Sequence, residues 1–149
     1  MKTWLFELEQ WLPLSPDLVF RFYADAFKLE EITPPLLQFK VLTPPPIDMK
    51  AGTVIDYRLK LRGIPLRWQS QITAWEPPYR FVDQQLKGPY RLWRHEHTFI
   101  EDKGGTLAID RVEYAVHGGI LVKKLLVEPD LKRIFGYRKR KLQELLVGE

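Results

Sequence analysis

The chain has 149 residues, enough for one domain with a real core. Hydrophobic residues make up 45% and aromatics 13%, which excludes a disordered chain, and the absence of cysteine excludes a disulfide framework, a thiolate metal site and a cysteine nucleophile. The net charge of +4 is modest and gathers near the end of the chain, in Lys123, Lys124, Lys132, Arg133, Arg138, Lys139, Arg140 and Lys141.

Residues 3–12 alternate, with Trp4, Phe6, Leu8 and Gln10 against Leu5, Glu7, Glu9 and Trp11, and predict a first strand. The acidic residues in this stretch interrupt any signal-peptide core, and no apolar run reaches the roughly 20 residues that span a bilayer. A soluble cytoplasmic protein is therefore expected. Pro13 and Ser15-Pro16-Asp17 stop the strand. Ser15 suits a helix N-cap, with Pro16 at the first helical position, so a short helix follows to about Tyr23. Residues 26–32 predict a second short helix, ended by Thr33-Pro34-Pro35.

Residues 36–42 read as a strand, with Leu37, Phe39 and Val41 on one face. Thr43-Pro44-Pro45-Pro46 is a rigid connection. Residues 53–61 and 66–75 alternate and predict two strands turned by Gly63-Ile64-Pro65. Residues 79–86 predict another, and Gly88-Pro89 turns the chain into a long strand ending near Ile100. Asp102-Lys103-Gly104-Gly105 signals a tight hairpin into a last strand over 106–116, with His117 exposed at its end.

From Ile120 the pattern becomes helical. Leu121, Leu125 and Leu126 open it, Pro129 predicts a kink or restart, and Leu131, Ile134, Phe135, Leu142, Leu145 and Leu146 form one stripe. Six strands joined by short turns make an antiparallel meander, which curls. The helix over about 120–147 must cover its concave face. The expectation is an α+β domain over residues 1–149, with a six- to seven-stranded curved sheet, two short helices after the first strand, and a tunnel under the long helix.

The long strand before the hairpin carries the chemistry. One face presents Trp93, His95, His97 and Phe99, and the other Leu92, Arg94, Glu96, Thr98 and Ile100. Counting back from a turn at Asp102-Lys103 puts His95 opposite Asp110 and His97 opposite Ala108. A His95–Asp110 pair fixes an imidazole tautomer and raises its pKa. A hydrogen-bonded network inside the sheet, acid–base work and metal ligation all suit the two histidines. A metal would take its third ligand from Asp110, Asp83 or Glu113. Asp83 and Gln85 share a face with Phe81 on the preceding strand. Arg138 falls in the helix stripe between Phe135 and Leu142, where it either snorkels or holds an acidic ligand group. Tyr57, Trp68, Trp93, Phe99 and Tyr114 form an aromatic wall. No phosphate loop or G-x-S-x-G elbow is present, and no cofactor is expected.

The run from Trp68 and Ile72 through Pro77-Pro78, Phe81-Val82-Asp83, Gly88-Pro89-Tyr90, Trp93, His95, His97 and Phe99 to Asp110, Val112 and Tyr114 resembles the START, Bet v 1 and polyketide cyclase/dehydrase superfamily, SRPBCC. It is similar to a bacterial ligand-binding subfamily within it. The resemblance covers nearly the whole chain and implies the helix-grip fold. It implies a hydrophobic ligand in a cavity lined by Tyr57, Trp68, Asp83, Gln85, Trp93, His95, His97, Phe99, Val112, Phe135 and Arg138. A cyclase or dehydrase would use that same pocket, with His95 as acid or base, Asp110 orienting it and Tyr114 hydrogen bonding to substrate. A third reading is an interaction module whose basic helix makes weak contact with an anionic membrane. Nucleic acid is not an expected partner.

Overall fold

The computed structural model describes residues 1–148. Its elements are β1 (Trp4–Leu12), α1 (Pro16–Tyr23), β2 (Lys40–Val41), β3 (Val54–Leu61), β4 (Ile64–Glu76), β5 (Arg80–Lys87), β6 (Leu92–Asp102), β7 (Gly105–Ala115), α2 (Gly119–Val122) and α3 (Glu128–Leu142). The seven strands form one sheet in the order β1-β7-β6-β5-β4-β3-β2, and every neighbouring pair is antiparallel. β2 to β7 are a meander. β1 lies at the far edge against β7, so α1 and two short 3-10 turns carry the chain from one edge to the other.

Local chemistry explains the turns. Ser15 caps α1 by accepting from Leu18 N–H at 3.4 Å, which stabilises such a helix by about 1 kcal/mol. Arg62-Gly63 and Lys103-Gly104 both have two successive positive φ angles (51° and 78°, 49° and 75°), the turn that matches strand twist. The first hairpin thus turns one residue earlier than expected, and Ile64 and Pro65 belong to β4. Bulges between Gln69 and Ser70 and between Ile72 and Ala74 break the β4–β5 register and help to curl the sheet.

Two expected elements differ. Residues 26–30 form a 3-10 turn, capped by Asp25 accepting from Phe27 N–H at 3.0 Å, rather than a longer helix. Residues 36–42 are not a full strand. Pro34-Pro35 start a 3-10 turn over Pro35–Leu37, Gln38 reverses direction with φ 47°, and only Lys40 and Val41 pair with the sheet. Leu37 and Val41 are still buried, so the alternation reports facing but not pairing.

The terminal helical run is continuous from Gly119 to Val147, with π turns over Lys123–Val127 and Gln143–Val147. At the first, Glu128 N–H bonds to the Lys123 carbonyl five residues back. The wide turn relieves the clash between the Pro129 ring and the preceding turn, so the chain continues without restarting. Leu121, Leu125 and Leu145 point outward, and the buried stripe is Val127, Leu131, Phe135 and Leu142. Among the described residues, no helix is long and apolar enough to cross a membrane. In the basic segment, Lys123, Arg133 and Lys141 pair with Glu128, Asp130 and Glu144, and Lys132, Lys139 and Arg140 are exposed.

Two polar clamps set the position of α3. Asp130 Oδ1 accepts from Arg62 and Arg133 at 3.1 Å each, tying the helix to the β3–β4 hairpin. Gln10 Nε2 donates to the Lys139 carbonyl at 2.8 Å, tying it to β1. The apolar core is divided into three groups. One lies under α1 around Phe20, Phe81 and Phe99, one under α3 around Trp93, Val112 and Phe135, and one beside β3 around Val41, Ile55 and Tyr57. The space they surround is the cavity described next.

Candidate functional site

β6 supplies the floor. Its inward residues Trp93, His95, His97 and Phe99 are all buried, as strand alternation requires. The β6–β7 ladder pairs His97 with Asp110 and His95 with Val112. This is two residues away from the expected register, because the two-residue turn is Lys103-Gly104 and not Asp102-Lys103. A slip of two keeps every side chain on its own face. Asp110 therefore still reaches His95 diagonally, and Nε2 donates to Oδ1 at 2.7 Å. His97 uses its Nε2 on Asp83 Oδ2 of β5, also at 2.7 Å. His97 Nδ1 is 3.4 Å from Asp110 Oδ1, an ionic contact outside hydrogen-bonding geometry. The two imidazoles stack at 3.8 Å, and Phe81 stacks on the other side of His97 at 4.0 Å.

Charge distributes unequally between the two rings. Burial disfavours the charged form of His97, but Asp110 and Asp83 on either side outweigh it and hold its pKa above the ordinary histidine value. Burial and then the neighbouring His97 charge push His95 down. Burial alone would raise Asp110, yet the two histidines hold it well below the usual carboxylate range, and against its own burial His97 with His95 also lowers Asp83. The cluster thus favours a proton on His97 over one on His95 and favours both acids as carboxylates. Because His95 Nε2 faces an ionised acid, Nδ1 is its open basic nitrogen.

Arg138 completes the cluster from α3. Its Nη1 is 3.9 Å from Asp110 Oδ1, and its guanidinium lies 4.8 Å over the Phe135 ring. The side chain is turned inward and only 12% exposed, so it does not snorkel. Tyr23 and Tyr57 sit nearby. Burial raises both phenols, with further elevation from Asp110 and Asp83 respectively, and both remain protonated.

These groups stand at the polar end of a cavity of about 160 Å³ between the sheet and the helix. Tyr57, Trp68, Asp83, Trp93, His95, His97, Phe135 and Arg138 line it. Five other residues expected there do not. Gln85 turns away to bracket Tyr90, donating to its carbonyl at 2.8 Å and accepting from its N–H at 3.1 Å. Phe99 packs with Phe20 and Tyr23 under α1. Val112 is wholly buried among α3 and sheet residues, and Tyr114 lies against Trp4 and Tyr90 beyond the cavity. Asp110 stands one layer behind the histidines. The remaining wall comes from residues not expected there, among them Tyr23, Ala26 and Leu29 near α1, and Leu131 on α3. Tyr23 lies on the apolar side of α1, but only the crossing of α1 over the sheet brings it to His97, 6.0 Å away.

A metal is a chemical possibility for this cluster. Donor atoms of Asp83, His95 and His97 lie within 4.8 Å of one another, a two-histidine, one-carboxylate set that suits several divalent ions. In the structure the Nε2 of each histidine is engaged by a carboxylate.

A family model described as "Polyketide cyclase / dehydrase and lipid transport" matches residues 12–142, and the chain belongs to this family of the SRPBCC superfamily. Solved structures of the same fold include Ara h 8.0201, at 15% identity and TM-score 0.75, covering 99% of this chain and 100% of that one. The protein TTHA0849 from Thermus thermophilus is similar at 20% identity and TM-score 0.72, covering 97% of each chain. The major latex-like protein 151 of Panax ginseng is similar at 10% identity and TM-score 0.72, with 97% of each chain covered. No curated protein matches in sequence.

Proposed function

We propose that this protein binds a small hydrophobic or aromatic molecule in the cavity between the curved sheet and α3. The observation that carries this reading is the divided core. Three apolar groups surround a space with an aromatic wall and one convergent polar end, which is the usual composition of a small-molecule site. The volume is close to the roughly 150 Å³ of an engineered apolar cavity that admits benzene, so a single ring or short chain fits without rearrangement.

The test is displacement by a side chain. Ala26 is buried on the cavity wall. Ala26→Phe should fill the space at a cost of about 1–3 kcal/mol in stability. It should abolish quenching of tryptophan fluorescence by apolar aromatic compounds. Binding that persists in the folded variant refutes the reading.

A second reading is an acid–base enzyme in the same pocket. It is favoured by a neutral His95 on the cavity wall, held in one tautomer by Asp110, the arrangement of a general base. Tyr114 has no part in it, since it lies beyond the cavity. The two readings separate by His95→Ala, which would abolish turnover in an enzyme and only weaken binding in a carrier.

A further inference from the structure

We infer that the cavity selects ligands ending in a carboxylate, and that Arg138 is the residue that receives it. The inference rests on the small-molecule reading above and adds the chemical class of the ligand. It begins with hydrogen bonds. A guanidinium has five N–H donors and no acceptor. Arg138 Nε and Nη1 are buried and have no hydrogen-bond acceptor among the described residues. A buried cation without acceptors is costly, and a folded chain retains one where something else supplies them.

The protein's own acids are committed elsewhere. Asp110 accepts from His95 and Asp83 accepts from His97, each at 2.7 Å. Arg138 comes no closer to Asp110 than 3.9 Å, which is attraction without a hydrogen bond. The Phe135 face at 4.8 Å holds the guanidinium plane in place but satisfies no N–H. The cation is therefore preorganised and not fully used. Tyr23 and Tyr57 line the same cavity and bring neutral O–H donors.

The rest of the wall sets the body of the ligand. Ile32, Leu37, Ile55, Trp68, Trp93 and Leu131 are apolar or aromatic, and the volume of about 160 Å³ limits the body to about one ring or a short chain. A hydroxyl would meet one Arg138 donor. A carboxylate meets two and is the geometric complement of a guanidinium.

The test titrates the full chain with phenylacetate and with its uncharged analogue phenylacetamide, near neutral pH, following Trp68 and Trp93 fluorescence. Phenylacetate should bind one to one and at least about tenfold more tightly than the amide. Arg138→Met should remove that preference, so that acid and amide bind within about twofold of each other. Equal binding of acid and amide by the native chain overturns the carboxylate inference while the cavity reading stands. So does an unchanged preference in Arg138→Met. If neither compound binds, and larger apolar probes also fail, both readings fall. The comparison within the native chain needs no variant, so it remains decisive even if Arg138→Met folds poorly.

Discussion

Asp110 faces His97 across the β6–β7 ladder, yet its 2.7 Å hydrogen bond goes to His95. One carboxylate thus serves two imidazoles, one by a hydrogen bond and one by charge at 3.4 Å, with Arg138 at 3.9 Å as a third neighbour. Removing it strands all three. Asp110→Ala should destabilise the fold by about 3–5 kcal/mol, the usual loss when one partner of a buried ion pair is deleted. Asp83, more exposed and bonded to His97 alone, should cost less. Denaturant midpoints of the two variants test the order, and a larger loss for Asp83→Ala would refute it.

The two histidines predict a stability maximum. His97, with a raised folded pKa, binds its proton more tightly folded than unfolded. Its contribution is complete below the unfolded pKa of about 6.5 and is lost as pH rises through the folded value. His95, with a lowered folded pKa, is held neutral by the fold while the unfolded chain takes up a proton below about 6.5. Stability therefore falls as pH drops from there. Both carboxylates are depressed and lose their contribution only at more acidic pH. The peak should lie near pH 6.5, with a decline on each side. Urea midpoints measured from about pH 5 to 8.5 would show it, and a flat or steadily rising profile would contradict the assignment.

How much of this is legible in the sequence depends on which property is asked. Alternation in β6 identifies Trp93, His95, His97 and Phe99 as the buried face because strand geometry leaves no other choice. It does not say how far the cavity extends along the strand. The sheet is longer than the cavity, so Phe99 falls under α1 and Tyr114 under Trp4, where each is packing. Counting back from Asp102-Lys103 misses the register by two residues because the turn falls one residue later, at Lys103-Gly104, where both φ angles are positive. The His95–Asp110 contact survives because a slip of two preserves the face. Tyr23 is invisible as a site residue from local pattern alone, since its place beside His97 is set by the crossing from β1 to β2. Gln85 shares a strand face with Asp83, but its side chain satisfies the backbone of Tyr90 instead.

Phe135 joins the helix to the floor. It is buried, packs on Phe6 at 5.1 Å and on His95 at 5.5 Å, and carries Arg138 above its ring. Phe135→Ala should cost about 3–5 kcal/mol in a denaturant titration, as core phenylalanines do. A loss below about 1 kcal/mol would mean that this side chain does not anchor α3.

Zinc offers a separate check on the histidine cluster. Ligation by Asp83, His95 and His97 competes with the imidazole–carboxylate hydrogen bonds of the cluster and needs both rings deprotonated. Added zinc should therefore leave the melting midpoint unchanged, and elemental analysis of the dialysed protein should find well below one equivalent. A stoichiometric ion with a raised midpoint would make the cluster a metal centre.

The pairing of β1 with β7 also bears on how the protein acquires its shape. Trp4 sits beside Tyr114 and Leu12 beside Thr106, so the first strand finds its partner only in the last strand of the sheet. β3 to β7 assemble from adjacent hairpins, whose loops close cheaply. β1 must wait, and so must the helical run it clamps through Gln10. Contact order favours an assembly in which the meander forms first and the edge strand and helix seal the cavity afterwards. Closure over the interior then depends on contacts distant in sequence, which are among the slow ones that long-range strand pairing imposes.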